Sequence, residues 1–120
     1  MQFAEIIGQD AVKQKLISTV REGRISHAQL FLGPAGNGKL ALAIAYAQYI
    51  NCSNRSENDS CGVCPSCRQF AKLAHPDLHF SYPIILNKQK HKTVSKDYLP
   101  QWREYLIEKY DLHVEEMILR

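Results

Sequence analysis

All four cysteines of the chain lie within sixteen residues, in the pattern C-x8-C-x2-C-x2-C. They are Cys52, Cys61, Cys64 and Cys67, and the segment that holds them, residues 52–67, is called the cysteine module below. Four thiolates suit tetrahedral Zn²⁺, and a two-residue gap allows neighbouring cysteines to wrap one ion. Gly62 and Pro65 favour the tight turns that such wrapping requires. Because four sulfur ligands leave no position for water, the pattern predicts a structural zinc site rather than a catalytic one.

Two other uses of the four thiols are an iron–sulfur cluster and disulfide bonds. The bacterial ferredoxin pattern requires a cysteine four residues after Cys67, where this chain has Ala71. Disulfides persist in oxidising compartments. Residues 1–5 contain no basic segment followed by an apolar one, so we expect no signal peptide and a cytoplasmic location. Zinc is therefore favoured over both alternatives.

A second candidate site is the glycine loop, residues 33–39, which fits the phosphate-binding pattern G-x-x-x-x-G-K. Its glycines allow backbone N–H groups to approach phosphate oxygens, and the helix expected after it adds a favourable N-terminus. Lys39 would reach the β- and γ-phosphates. Leu40 stands where the pattern has Ser or Thr, whose hydroxyl binds Mg²⁺. ATP with Mg²⁺ is thus a candidate cofactor that Leu40 argues against, no catalytic residue is predicted, and a glycine-rich turn without ligand is the alternative.

These residues must be positioned by the elements around them. Residues 28–32 form a short apolar segment and residues 77–82 alternate apolar with polar side chains, so both are predicted strands. Residues 39–50 are apolar on most faces and predict a largely buried helix. A strand, a glycine loop and a helix in this order are typical of a parallel α/β sheet. The predicted fold class is therefore α/β.

Three further helices are predicted. One has Asp10 as its N-cap and ends just before Gly23. Another leaves the cysteine module over residues 68–74, before Pro76. A third covers residues 98–110, where apolar side chains recur at helical spacing.

Composition sets broader limits. At 120 residues, with 45% hydrophobic and 22% charged residues, the chain predicts one globular domain or less. A net charge of +3 permits nucleic-acid binding without arguing for it. The longest apolar stretch, residues 40–50, is too short to cross a bilayer, so no membrane partner is expected. Residues 87–96 are polar and basic and predict an exposed loop. The amphipathic run over residues 114–120 predicts that the chain is part of a longer protein.

Several short motifs occur in a characteristic order. Ile7-Gly8-Gln9 comes first, followed by residues 26–31 with the sequence SHAQLF, the glycine loop, the cysteine module and His75-Pro76-Asp77. In this order they resemble the N-terminal region of bacterial DNA polymerase III clamp-loader subunits, the delta-prime and gamma/tau group of AAA+ proteins. The resemblance covers residues 1–82.

The resemblance implies a partial AAA+ P-loop domain of three layers over residues 1–120, with the cysteine module inserted after the P-loop helix. It implies that the four cysteines bind the zinc and that residues 7–9 lie near the adenine. The full set implied for nucleotide binding, which the altered loop can leave vestigial, is Ile7, Gly8, Gln9, Gly33, Gly36, Asn37, Gly38, Lys39 and Leu40.

The implied role is in an ATP-driven assembly that opens a sliding clamp and loads it on primed DNA. Its partners would be other DNA polymerase III clamp-loader subunits, with the clamp and DNA reached through the assembly. Leu40 favours the delta-prime type, which is often non-hydrolysing. Lys39 leaves the gamma/tau ATPase type as an alternative. A zinc-knuckle adaptor with a relic nucleotide fold is a further alternative. The chain alone is not expected to hydrolyse ATP.

Overall fold

The computed structural model describes residues 1–82 and 98–112 of the chain. Within these ranges there are one short 3-10 helix and four α-helices. In chain order they are the 3-10 helix (Phe3–Glu5), α1 (Asp10–Arg21), α2 (Lys39–Asn51), α3 (Pro65–Ala71) and α4 (Leu99–Leu112). The loop predicted over residues 87–96 lies outside the described residues.

The central element is α2, which packs against α1, α3 and the 3-10 helix. It buries residues on all sides, as its apolar sequence predicts: Ala41, Leu42, Ile44, Ala45, Tyr46, Gln48 and Tyr49. The amphipathic α1 contributes one face, made by Leu16, Ile17 and Val20. Phe3 from the 3-10 helix and Leu106 from α4 complete the same core. Among the described residues no helix has the length and apolar character needed to span a bilayer.

The predicted parallel sheet is wrong for the described part of the chain. Residues 1–82 and 98–112 contain no strand, and the fold there is a set of helices around α2. Residues 28–32 carry side chains suited to a strand, but Leu30 and Leu32 are each 80% exposed. A strand is stabilised by hydrogen bonds to a neighbouring strand and by burial of its face. An apolar pattern in one segment does not supply that neighbour, which is why the α/β prediction fails.

The helix ends also differ from those predicted. Asp10 is the first residue of α1 rather than its N-cap, and Gln9 precedes it with a left-handed φ of 58°. Gly23, with a φ of 67°, does follow the end of α1 as predicted. The helix predicted over residues 68–74 is α3, which begins three residues earlier, at Pro65 inside the cysteine module. It ends at Ala71, and left-handed Leu73 turns the chain well before Pro76.

Candidate metal centre and glycine loop

Two helix ends and the loop between them position the four cysteines. Cys52 is the C-cap residue that follows α2, and Cys67 lies in the first turn of α3. Cys64 is the N-cap of α3, where its Sγ accepts a hydrogen bond from the backbone N–H of Cys67, and Pro65 occupies the first helical turn. Cys61 lies in the intervening loop and is the only partly exposed member of the four. The start of α3 is therefore also part of the cysteine cluster.

The sulfur atoms form a compact cluster. The Sγ of Cys52 lies 3.5 Å from that of Cys61 and 4.0 Å from that of Cys64, and the Sγ atoms of Cys61 and Cys67 are 3.9 Å apart. All four lie within 4.8 Å of one another. Four sulfurs bonded tetrahedrally to zinc at about 2.3 Å would be separated by about 3.8 Å. A disulfide needs about 2.0 Å, and all four thiols are free. The cysteines therefore fit a single metal ion.

Backbone N–H groups point at three of the four sulfurs. The N–H groups of Cys61, Cys64 and Cys67 donate to the Sγ atoms of Cys52, Cys61 and Cys64, over 3.3, 3.3 and 3.4 Å respectively. Hydrogen bonds from the backbone of Cys67 and Ser53 lower the pKa of Cys64 to about 5. Those from Val63 and Cys64 lower the pKa of Cys61. Both residues are thereby prepared as thiolate ligands.

Cys67 behaves in the opposite way. Burial raises the pKa of its thiol to about 12, because a charged sulfur there would lose its solvation. A divalent cation within the cluster would reverse this balance, since its charge stabilises a coordinated thiolate. The cluster therefore has the composition and the geometry of a site that a cation completes.

A polar network joins the cysteine module to α2. The side chain of Gln48 is buried, and its Nε2 donates to Ser60 Oγ over 3.0 Å. The ammonium group of Met1 donates to Gln48 Oε1 over 2.8 Å. The hydroxyl of Tyr49, the next residue of α2, donates to the carbonyl of Ser56 over 3.0 Å. Sequence reasoning missed these residues, although an amide on an otherwise apolar buried helix was a signal of a buried polar partner.

The glycine loop is closed by its own hydrogen bonds. Lys39 Nζ donates to the carbonyl of Gly33 over 2.8 Å, and the backbone N–H of Lys39 donates to Asn37 Oδ1 over 3.2 Å. The amide of Asn37 packs on Gly33 so closely that a Cβ added there would lie 1.7 Å from Asn37 Nδ2. Gly36 and Gly38 have φ angles of 83° and 78°, which glycine adopts without strain. Two donors expected to bind phosphate are therefore engaged within the loop.

The residues expected near an adenine lie beside this loop. Gln9 Nε2 donates to the carbonyl of Asn37 over 3.4 Å, and Ile7 is 64% exposed. Gln9, Asn37 and Lys39 share a cleft of about 260 Å³ with the extended segment of residues 29–32. The other predicted nucleotide residues do not line this cleft: Ile7, Gly8, Gly33, Gly36, Gly38 and Leu40. Their nucleotide role remains a prediction.

Three α1 residues that line the same cleft were absent from the predicted nucleotide set: Val12, Lys15 and Leu16. Val12 and Lys15 face it from one side, and Lys15 adds a second positive charge near Lys39. Val12 lies three residues before Lys15 and four before Leu16, and this spacing was a signal that the three residues share one face of α1.

Comparison with known proteins gives consistent relatives. The family described as "DNA polymerase III, delta subunit" matches residues 8–110. DNA polymerase III subunit gamma/tau of Mycobacterium tuberculosis (strain ATCC 25618 / H37Rv) is 44% identical over 72 residues, which cover 60% of this chain and 12% of that protein. DNA polymerase III subunit tau of Escherichia coli (strain K12) is 38% identical over 76 residues, covering 63% and 12%. Protein STICHEL of Arabidopsis thaliana is 40% identical over 70 residues, covering 58% and 6%. The chain thus spans only a small part of the length of these relatives, and no solved structure matches it.

Proposed function

We propose that the chain forms part of a delta-prime-like clamp-loader subunit in DNA replication. This proposal proceeds from the family match, by which the chain belongs to the DNA polymerase III delta subunit family. The resemblance to DNA polymerase III clamp-loader subunits, stated above from the order of motifs, is confirmed by this family and by the gamma/tau relatives. The delta-prime assignment rests on the glycine loop. Leu40 follows the loop where a Mg²⁺-binding hydroxyl is expected, and Lys39 donates a hydrogen bond to Gly33 within the loop.

In this proposal the cysteine module binds a structural zinc ion through Cys52, Cys61, Cys64 and Cys67. The spacing of the sulfurs and the N–H groups directed at them support this assignment. Four cysteines close the coordination shell, so the ion supplies shape rather than catalysis. Its task is to hold residues 52–67 against α2.

The glycine loop serves, in this proposal, as a weak or vestigial nucleotide site. Phosphate binding would have to displace the hydrogen bonds that Lys39 makes to Gly33 and Asn37. Leucine at position 40 offers no oxygen to a Mg²⁺ ion, so the metal that assists phosphoryl transfer is poorly held. The subunit would therefore support the assembly structurally while other subunits hydrolyse ATP.

The second candidate function is an active ATPase of the gamma/tau type. The names of the relatives favour it, as does Lys39 itself. The two candidates differ in one measurable property, the Mg²⁺-dependent turnover of ATP. In both, the partners are other clamp-loader subunits, with the sliding clamp and primed DNA engaged by the assembly.

The test is to purify the protein from its own cells through a tag and identify what accompanies it. Recovery with DNA polymerase III subunits supports a clamp-loader role, whereas recovery alone or with metabolic enzymes overturns it. ATP turnover by the purified protein then separates the two candidates. Turnover abolished by Lys39→Ala would favour the gamma/tau type and contradict the delta-prime assignment.

A further inference from the structure

We propose that the metal centre anchors the N-terminal segment, residues 1–6, and through it supports the glycine loop, with Asp59 as the positioning residue. This inference rests on the proposed zinc site of the cysteine module. It concerns three hydrogen bonds, which form two contacts between residues more than fifty positions apart in the sequence.

The first contact is a cap on the 3-10 helix. The N–H groups of Phe3 and Ala4 donate to the two carboxylate oxygens of Asp59, each over 3.0 Å. The first N–H groups of a helix have no partner within it and need an external acceptor. Gln2, the N-cap residue, makes no such bond with its own side chain. Asp59 therefore supplies from the cysteine module the cap that the local sequence lacks.

The second contact joins Gln2 to the loop of the cysteine module that contains Cys61. Gln2 Nε2 donates to the carbonyl of Ser60 over 2.7 Å. Gly62, with a φ of 76°, lies directly beneath it, and an added Cβ would lie 2.8 Å from the same nitrogen. Residues 59–62 thus present a carboxylate, a carbonyl and a bare glycine backbone to the N-terminal segment. Cys61 lies within this stretch.

Hydrogen bonds from Gln48 and Tyr49 tie the module to α2, but the buried apolar contacts within the module come from its cysteines, so we infer that the shape of residues 59–62 depends on them. The buried cluster of the module consists of Cys52, Cys64 and Cys67, with Cys61 packed against them. Without a metal ion the free thiols offer only weak sulfur contacts, and a segment with so few buried apolar groups opens readily. Binding of the ion to all four cysteines closes the module and thereby fixes Asp59 and Ser60 in place.

The N-terminal segment in turn contacts the glycine loop. Phe3 is 2% exposed and packs edge-on against Tyr49, with ring centroids 5.7 Å apart. Ile6 is also buried, and its Cγ2 would lie 3.8 Å from a Cβ added to Gly38, the N-cap residue of α2. Lys13 donates to the carbonyl of Ile6 and holds this end against α1. Neighbouring residues therefore link the cysteine module, through the N-terminal segment, to the start of α2 beside the glycine loop.

The experiment is amide hydrogen exchange on the zinc-loaded protein, before and after removal of the metal with a chelator. We expect exchange at Phe3 and Ala4 to accelerate by at least about tenfold on chelation, because both amides lose a charged acceptor. Amides in the middle of α1, such as those of Leu16 and Ile17, should keep their protection. If Phe3 and Ala4 keep theirs while Cys61 and Cys64 lose it, the anchor is independent of the metal and the proposal is overturned.

A matched pair of variants tests the role of Asp59. Asp59→Asn replaces one acceptor oxygen with an NH₂ group and should accelerate exchange at Phe3 and Ala4 while zinc stays bound. Asp77→Asn makes the same change at an exposed carboxylate that has no hydrogen bond among the described residues, and should have no effect. Equal exchange in the two variants would contradict the proposal.

Measuring the zinc content of each protein shows whether a failure lies in the proposed zinc site or only in the proposed anchoring of the N-terminal segment. If Asp59→Asn loses its zinc, Gln2→Ala decides, because it removes the bond to Ser60 from a position far from the ligands in sequence. Unchanged exchange at Phe3 and Ala4 in zinc-loaded Gln2→Ala would then overturn the proposal. A wild-type protein that purifies without any metal would refute both the zinc site and this inference, whereas a zinc-loaded protein with a metal-independent N-terminus would refute the inference alone.

Discussion

The cysteine module and the glycine loop differ in how completely each is assembled. In the module, four sulfurs already lie at separations that suit a metal ion, and backbone N–H groups face them. In the loop, the lysine side chain and its backbone N–H are bound to Gly33 and Asn37 of the loop itself. The module is thus ready for its ligand, whereas the loop must break contacts to accept one.

This difference follows from where the ligand groups lie in the sequence. A site built from sixteen consecutive residues is specified by local turns and one helix start. The cleft beside the loop instead combines α1, the extended segment 29–32 and the start of α2. A site of that second kind depends on packing between distant segments, so its ligand affinity is more easily lost.

The largest expected effect is at the metal centre. Replacing Cys67, which is 1% exposed, by serine removes a thiolate from the buried side of the cluster. Structural zinc contributes about 10–16 kcal/mol to the folding of small zinc domains, so loss of one ligand should abolish tight binding. We expect zinc, measured by elemental analysis, to fall from one ion per chain to near zero.

The matched control for this change is Ser66→Ala. Ser66 precedes Cys67 in α3, and its buried hydroxyl has no hydrogen-bond partner among the described residues. Zinc content should therefore remain at one ion per chain. Full zinc content in Cys67→Ser, or iron in the wild-type protein, would contradict the four-cysteine zinc assignment.

The next effect concerns ATP hydrolysis. Because Leu40 cannot bind Mg²⁺ through an oxygen, we expect turnover well below about 1 s⁻¹, the low end of ordinary enzymatic rates. The measurement is phosphate release by the protein purified from its own cells and freed of partner subunits. Turnover near that rate which disappears in Lys39→Ala would show that the loop is a working site.

A smaller gain is expected when the missing oxygen is restored. Leu40→Thr should tighten binding of Mg²⁺-ATP by up to about tenfold, if the rest of the loop opens to phosphate. Ile25→Thr introduces a threonine hydroxyl at an exposed position that does not line the cleft and should not alter binding. Titration calorimetry with and without Mg²⁺ measures both variants. A gain in Leu40→Thr that persists without Mg²⁺ would contradict the proposed cause.

The cysteine module was the most predictable part of the molecule. The gathering of its four cysteines into one cluster was predicted because a site made by near neighbours leaves its pattern in the sequence. The burial of α2 was also predictable, since its apolar faces can be read directly. The absence of a sheet from the described residues was not predictable, because the sequence of residues 28–32 has strand character but does not show whether a partner strand lies beside it. Asp59 was missed for the same reason, since Phe3 and Ala4, whose N–H groups donate to its carboxylate, lie more than fifty residues away in the chain.

The smallest expected effects come from two tyrosines of α2, one of which bonds toward the glycine loop and the other toward the cysteine module. Tyr46 accepts from Gln29 Nε2 over 3.0 Å and contacts Thr19 Oγ1 at 2.8 Å, on the side of the glycine loop. Tyr49 donates to Ser56 of the cysteine module. Replacing either by phenylalanine should lower the free energy of unfolding by about 1 kcal/mol.

Metal removal should separate these two variants. Without zinc, Ser56 lies in a module that has lost its fixed shape, so Tyr49→Phe should then cost little, whereas the cost of Tyr46→Phe should remain. Urea denaturation of both variants with and without chelator measures this difference. Equal costs for Tyr49→Phe in the two conditions would mean that the module keeps its structure without metal.

The contact between Gln2 and Gly62 also carries a consequence for the evolution of this family. A side chain at position 62 would displace the amide of Gln2, in addition to the strain of a left-handed φ of 76°. Among homologous sequences, those with a residue other than glycine at position 62 should have a shorter or smaller residue at position 2. Correlated substitution of this kind is the inherited record of a spatial contact. The pair would then mark which relatives keep the N-terminus folded over their metal centre.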